Sequence, residues 1–250
     1  MSTKIKPSLT LSKKTLPEAL TVALVHIFSQ NIKDVMLVGG TALSGFYAGH
    51  RRSDDLDLFV KNEVSFKSTL LAVKSLQSIG AHIQVNSHSN QYFNAICRLQ
   101  EHTFTVDIVL DENIFKVGHG VTLENKVTVV DITTLFKMKS ATLLSRCSEK
   151  DLFDLNWLFE NTEAIDISFI LEQGKEIDGG MDPETLLFSI STAILREDAC
   201  GFSEKQKKNS KVVFKTIRSL QNKLIKLLNE YLENLPTDDL KKVIARIKKL

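Results

Sequence analysis

The sequence predicts an α+β fold, in which a mixed sheet flanked by helices is followed by a helical C-terminal part. Short runs of β-forming residues, bounded by glycine and polar turn residues, are concentrated before residue 130. From residue 165 onward, apolar residues recur at helical spacing instead. We therefore predict one domain over residues 1–160 and a helical domain over residues 161–250.

Length and composition are those of an ordinary globular protein, with 250 residues of which 43% are hydrophobic and 25% charged. No run of about 18 apolar residues predicts a membrane span, and the N-terminus lacks the apolar core of a signal peptide. The three widely spaced cysteines fit neither a disulfide framework nor a zinc site. We expect a cytoplasmic protein with reduced thiols.

The first elements lead to a glycine turn. Residues 1–14 are polar and basic, and we expect them to be loose. Thr15 has the position of an N-cap for a helix that runs to about residue 30, with Glu18 in the capping-box position. The apolar run Val35–Val38 predicts a buried strand.

A possible anion site follows this strand directly. Gly39 and Gly40 permit a tight turn that an anion can approach closely. Thr41 is predicted to be the N-cap of a helix through Tyr47, and the N–H groups at such a helix end favour an anion.

The next strand carries two carboxylates on one face. Alternation in the run that begins at Asp55 places Asp55 and Asp57 on one side, because successive side chains of a strand point to opposite faces. At a rise of about 3.3 Å per residue they lie roughly 7 Å apart, within reach of one or two hard cations. The competing interpretation is a solvated strand that shows its acids to water.

Three more strands, over 82–86, 92–99 and 104–110, are predicted to form an antiparallel meander after a helix over 65–79. Asp107 stands among β-branched neighbours in the last of them, where an acid is costly to bury unless it is paired or bound to a metal. It is the candidate third carboxylate, and Asp111 is the alternative.

Two predicted helices carry further charged candidates. The first begins after Asp131 and holds Lys137 and Lys139, with Arg146 seven residues beyond Lys139 and so two turns further along the same face. The second covers 149–159, and its Asp151 and Asp154 lie three residues apart on one face. The spacing leaves open which lysine and which aspartate matter.

The C-terminal part is predicted to contain helices over 166–173, 183–196, 208–232 and 237–249. From Ser203 to Leu250 there are 13 Lys and Arg against 5 Asp and Glu, a surplus of +8, whereas the first 202 residues carry 19 against 25, or −6. A basic segment beside an acidic candidate site suggests a polyanionic partner. A solvated helical face is the alternative.

These motifs together resemble one known family. The segments Gly39-Gly40-Thr41-Ala42-Leu43 and His50-Arg51-Arg52-Ser53-Asp54-Asp55-Leu56-Asp57 are similar to the AbiEii-type toxin branch of the polymerase-β-like nucleotidyltransferases. The charged residues of the two predicted helices, described above, resemble the same branch in their order and spacing. They comprise a lysine, an arginine seven residues later and then an aspartate pair.

The resemblance implies a polymerase-β-like nucleotidyltransferase domain and a role for each candidate. Gly39, Gly40 and Thr41 are then expected to hold nucleotide phosphates, with Lys139, Arg146 and Asp151 as further nucleotide contacts. Asp55 and Asp57 are expected to bind two Mg²⁺ ions. Asp107 is expected to take the proton of the attacking hydroxyl or to bind the catalytic metal, and Asp154 to help assemble the site. The implied substrate is a nucleoside triphosphate (NTP). Arg51 and Arg52 are expected to be solvated loop residues, with steering of the substrate as the alternative.

The implied biological role is that of a toxin that adds nucleotides to RNA, with the 3′ end of tRNA as the expected acceptor and an antitoxin protein as the expected partner. One alternative is transfer to a small molecule, as in aminoglycoside-modifying relatives, or to a protein hydroxyl. A second is an inactive nucleotide-binding module, against which the three retained acids argue.

Overall fold

The computed structural model describes residues 5–162, 166–203 and 209–234, and its elements form one mixed sheet with helices around it. The strands are β1 (Val35–Val38), β2 (Asp55–Val60), β3 (His82–His88), β4 (Tyr92–Leu99), β5 (His102–Leu110), β6 (Gly120–Thr122) and β7 (Thr128–Val130). The helices are α1 (Leu9–Thr15), α2 (Glu18–Ser29), α3 (Gly39–Ala42), α4 (Glu63–Lys74), α5 (Glu112–Val117), α6 (Ile132–Ser145), α7 (Glu149–Asn161), α8 (Ile167–Lys175), α9 (Pro183–Thr192) and α10 (Ser210–Glu233).

Among the described residues the sheet has seven strands in the order β3-β4-β5-β2-β1-β7-β6. The strands β3, β4 and β5 pair antiparallel in sequence order, so the predicted meander is confirmed. β2 lies at the centre, antiparallel to β1 and parallel to β5. Its side chains alternate between partly buried and buried, since Leu56, Leu58 and Val60 enter the core while the acids face the other side.

The N-terminal prediction is partly wrong. Residues 9–15 are not loose but form α1, because the Ser8 side chain accepts a hydrogen bond from the Leu11 N–H and caps the helix. Thr15 ends this helix instead of capping the next one, and its hydroxyl donates to the carbonyl of Leu11. Pro17 occupies the N-cap position of α2. The predicted helix that runs to about residue 30 is confirmed from Glu18 onward.

The glycine turn also differs from the prediction. The helix begins at Gly39 and continues beyond α3 as a π-helix over Leu43–Ala48, so Thr41 lies inside it and is not its N-cap. The Thr41 hydroxyl donates to the carbonyl of Asp55 at 2.5 Å. The hydroxyl therefore joins the turn to the start of β2.

Further along the chain, a 3₁₀ turn over Ser75–Ile79 follows α4 and ends at Gly80, which has φ 90°. Asp131 is the N-cap of α6, so this helix begins after Asp131 as predicted. Asp111, the alternative third carboxylate, is instead the N-cap of α5, a helix that the sequence analysis did not predict. Its Oδ1 accepts hydrogen bonds from two backbone N–H groups there.

The helices α8, α9 and α10 confirm three of the predicted C-terminal helices, and the fourth, over 237–249, lies outside the described residues. Buried apolar residues run from Leu16 in the N-terminal part to Leu228 in α10. The division near residue 160 stays a prediction. Within the described ranges, every helix is too short or too polar to cross a lipid bilayer.

Candidate active site

Three carboxylates lie side by side on one face of the sheet. Asp57 of β2 is the register partner of Asp107 of β5, and Asp55 precedes it by two residues. Residues paired across neighbouring strands present their side chains on the same face. The parallel pairing of β2 with β5 therefore places all three acids together.

Hydrogen bonds hold one carboxylate oxygen of Asp55 and one of Asp107. The Thr105 hydroxyl donates to Oδ1 of Asp55 at 2.6 Å. Oδ1 of Asp107 accepts from the Tyr92 hydroxyl at 2.6 Å and from the Asn94 amide at 3.0 Å. The bond to Asp107 is the main reason that the pKa of Tyr92 rises to about 12. Both acids keep their Oδ2 atoms for another partner.

Asp57, between them, is packed against the glycine turn. Gly39 has φ +70°, and a Cβ built there would lie 2.0 Å from Oδ2 of Asp57. Only glycine fits, because both the backbone conformation and the space exclude a side chain. Burial, and then the charges of Asp55 and Asp107, raise the pKa of Asp57 to about 6.

This donor set fits a hard divalent cation. Carboxylate oxygens are the ligands that Mg²⁺ prefers. The raised pKa of Asp57 reflects first its burial and then the neighbouring negative charges, and a bound cation relieves both. As the side chains stand, no group of three or more acidic, His or Cys residues in the described ranges is already arranged as a metal cluster. The donor chemistry therefore matches the expected metal, and the ligand geometry is not preformed.

A cavity of about 370 Å³ opens over these carboxylates. Its lining combines the three acids with cations and hydroxyls. The lining residues are Gly40, Arg51, Ser53, Asp55, Asp57, Asp107, Lys139, Arg146, Ser148, Lys150 and Asp151. A lining with both charges suits a ligand that carries both metal-bound phosphates and further anionic groups.

The structure separates the two candidate lysines. Lys139 lines the cavity, and its Nζ lies 3.0 Å from Asp151 and 2.7 Å from Asp154. Lys137 instead contacts the carbonyl of Val117 and the carboxylate of Glu176, and it is absent from the cavity lining. Although burial opposes its charge, the two aspartates raise the pKa of Lys139, so it stays protonated.

The two candidate aspartates have different places. Asp151 lines the cavity, where it accepts from Lys139 and, at 3.1 Å, from Nε of Arg146. Asp154 is fully buried behind the wall. Burial by itself raises its pKa, but Lys139, Arg51 and their hydrogen bonds hold the pKa of Asp154 well below its usual range. Asp154 therefore acts on the cavity through the cations it holds.

Sequence reasoning missed Ser53 and gave Arg51 only the alternative role of steering the substrate, yet both residues line the cavity. Arg51 is only 3% exposed, so the expectation that it is a solvated loop residue is wrong. Its partner Asp154 stands 103 residues further along the chain. Thr105 was missed as well, although it stands two residues before Asp107, as Asp55 stands two before Asp57. That spacing was a signal the sequence contained.

Comparison with known proteins agrees with this architecture. A family model described as nucleotidyl transferase AbiEii toxin, type IV toxin–antitoxin system, matches residues 22–208. No curated protein sequence matches the chain significantly. A Helicobacter pylori protein described as a nucleotidyltransferase has a similar structure, with TM-score 0.52 and 18% identity over 86% of this chain and 99% of its own.

The nucleotidyltransferase toxin MenT4 from Mycobacterium tuberculosis H37Rv is also similar in structure, with TM-score 0.53 and 17% identity over 82% of this chain and 85% of its own. At these identities the likeness concerns the fold. The predicted α+β nucleotidyltransferase fold is thereby confirmed.

Proposed function

The chain belongs to the AbiEii family of nucleotidyltransferase toxins, and from that premise we propose that it moves a nucleoside monophosphate from an NTP to a hydroxyl of RNA, with Mg²⁺ as its cofactor. The proposed acceptor is the 3′ end of tRNA. Because the family is one of toxin–antitoxin systems, an antitoxin protein is the proposed partner.

One observation carries the proposal for the chemistry. The register that opposes Asp57 to Asp107, with Asp55 two residues before, gathers three carboxylates beside Gly39. Three acids at the edge of a cavity that also holds cations are a costly arrangement for a purely structural surface, because like charges repel in a partly buried site. They are well suited to metal-assisted phosphoryl chemistry.

In the proposed reaction, the acceptor oxygen forms a bond to the α-phosphorus of the NTP, the bond from that phosphorus to the β-phosphate oxygen breaks, and pyrophosphate leaves. Asp55, Asp57 and Asp107 are the proposed ligands of Mg²⁺. When bound, divalent cations neutralise phosphate charge and acidify the attacking hydroxyl. Oδ2 of Asp107 is the proposed acceptor of the proton of that hydroxyl, since Tyr92 and Asn94 bond its Oδ1.

The remaining residues bind and orient the nucleotide. Gly40 gives phosphates close access to the backbone, and Lys139 adds a buried positive charge held by Asp151 and Asp154. Thr41 acts indirectly, since its hydroxyl holds the first residue of β2. Arg146 adds a further positive charge to the cavity lining, and Asp151 holds it by a hydrogen bond.

The proposal of an RNA acceptor rests on charge. The helix α10 has an exposed basic surface, and an RNA backbone is attracted to such a surface in a salt-dependent way. Its exposed cations are Lys211, Lys215, Arg218, Lys223 and Lys226.

The test is transfer of label from each of the four NTPs, radiolabelled at the α-phosphate, to purified total tRNA in the presence of Mg²⁺. We expect labelled tRNA with the wild type and none with Asp57→Asn or with EDTA. Parallel reactions contain an aminoglycoside or a protein extract in place of tRNA. Label in those and not in tRNA would refute the RNA acceptor, and nucleotide binding without any transfer would refute the activity.

A further inference from the structure

A buried arginine lines the same cavity as the three carboxylates. We propose that Arg51, together with Ser53, forms the subsite for the β- and γ-phosphates of the NTP, and that Asp154 is the positioning residue that aims Arg51 into it. The inference rests on the proposed function for the identity of the ligand. It assigns a role to the loop between Gly49 and Asp54, which the family motifs leave without one.

The first argument is how firmly Arg51 is held. Its Nε lies 2.6 Å from Oδ1 of Asp154 and its Nη2 lies 2.8 Å from Oδ2, so the guanidinium and carboxylate form a two-bond pair. Its Nη1 donates to the carbonyl of Arg52. The backbone of the loop is tied to the segment before α10 by an antiparallel bridge between Arg51 and Ser203. A group fixed in this way meets its ligand with little loss of entropy.

The second argument is the hydrogen-bonding capacity that this arrangement leaves. A guanidinium has five N–H groups, and three of them are used by Asp154 and the Arg52 carbonyl. Within the described part of the chain, one N–H on each of Nη1 and Nη2 therefore remains for another acceptor. Because Arg51 lines the cavity, a phosphate oxygen is the acceptor best matched to its planar fork.

The third argument concerns Gly40, which stands between Arg51 and the carboxylates. A Cβ at Gly40 would lie 2.4 Å from Nη2 of Arg51 and 3.0 Å from Oγ of Ser53. Glycine at this position thus lets the guanidinium and the Ser53 hydroxyl reach the backbone of the turn. The hydroxyl that faces the cavity here belongs to Ser53, because that of Thr41 is buried and donates to the carbonyl of Asp55.

The fourth argument is charge. Arg51, Lys139 and Arg146 stand against two carboxylates, Asp151 and Asp154, in one connected network. His50 also contacts Asp154, but burial lowers its pKa, so it adds no charge at neutral pH. The buried members balance, two cations against two carboxylates, and the surplus positive charge belongs to Arg146, whose side chain is 68% exposed. A phosphate that binds Arg51 from the cavity therefore adds an anion to a network whose net charge is positive.

The test uses inorganic tripolyphosphate, because this probe carries the phosphates without requiring a choice of base. Its affinity is measured by isothermal titration calorimetry, with Mg²⁺ and with EDTA, for the wild type, Arg51→Lys, Ser53→Ala and Asp154→Asn. We expect Arg51→Lys to weaken binding about ten- to a hundredfold and Ser53→Ala to weaken it severalfold, as loss of charge-assisted and neutral hydrogen bonds does. Asp154→Asn should weaken it as well, because it frees the guanidinium from its anchor.

Selectivity distinguishes a phosphate contact from a structural role. Affinity for nucleoside monophosphates, which lack the β- and γ-phosphates, should change less than threefold in Arg51→Lys. The matched control is Arg98→Lys on β4, the same substitution outside the cavity, where Arg98 contacts Glu101. This control should bind tripolyphosphate like the wild type.

Two results would overturn the inference: no tripolyphosphate binding by the wild type, or wild-type affinity in folded Arg51→Lys. If Arg51→Lys does not fold, unchanged affinity in Ser53→Ala has the same consequence. Failure of the proposed function looks different, because tripolyphosphate binding would still depend on Arg51 while no RNA became labelled.

Discussion

Replacing Asp57 by asparagine should stabilise the metal-free protein while abolishing transfer. The carboxylate has a pKa of about 6 in the folded chain against an ordinary value of 3.8. Its folded state therefore binds a proton more tightly than its unfolded state. By linkage, stability falls as the pH rises from about 4 to about 6 and stays lower above that range. Asparagine has nearly the same shape and never acquires the charge.

The size of the effect follows from the shift. A difference of about 2.2 units, from 3.8 to about 6, corresponds to roughly 3 kcal/mol at 1.36 kcal/mol per unit. Because the side chain is partly open to the water of the cavity, we expect a gain of about 1–2 kcal/mol for Asp57→Asn at pH 8. The gain should vanish near pH 4, where both side chains are neutral.

Urea unfolding in EDTA at pH 4 and pH 8 measures this difference. The exposed Asp34 provides the control, since Asp34→Asn should change the free energy of unfolding by less than about 0.5 kcal/mol at either pH. Added Mg²⁺ should stabilise the wild type and not Asp57→Asn. An Asp57→Asn variant that is less stable than the wild type at pH 8, or equally stabilised at pH 4, would refute the proposed repulsion among the three acids.

Three further substitutions test the site. Gly39→Ala should lower the free energy of unfolding by about 1–3 kcal/mol and abolish transfer, because the new Cβ collides with Oδ2 of Asp57 and alanine disfavours the left-handed backbone conformation of this residue. Urea unfolding and the tRNA labelling assay measure the two effects. Lys139→Met should cost about 3–5 kcal/mol because it removes the buried cation that Asp151 and Asp154 share, whereas a similar cost for Lys137→Met would contradict the assignment. Tyr92→Phe should change stability by less than about 1.5 kcal/mol yet slow transfer, because Oδ1 of Asp107 loses one of two donors. Unaltered transfer kinetics in Tyr92→Phe would show that this hydrogen bond has no role.

The sequence was most informative where chemistry and periodicity act locally. The alternation in β2 placed Asp55 and Asp57 on one face, and the structure agrees. The sequence was least informative where a polar side chain can hydrogen-bond to more than one partner. Thr41 was read as a helix cap and instead joins the turn to β2. Ser8 was in a segment expected to be loose and caps a helix. Local sequence does not tell which acceptor a hydroxyl will find.

The sequence by itself determined the strands, the glycine turn and the identity of the acids, because these depend on side-chain periodicity and backbone freedom over a few residues. Only the tertiary structure decided which strand stands beside β2 and in which register, and so that Asp107 faces the cavity while Asp111 caps a helix. It also decided the burial of Arg51, since Asp154, more than 100 residues away, neutralises its charge. Pairing between distant segments depends on the packing of the whole core, which no short stretch of sequence contains.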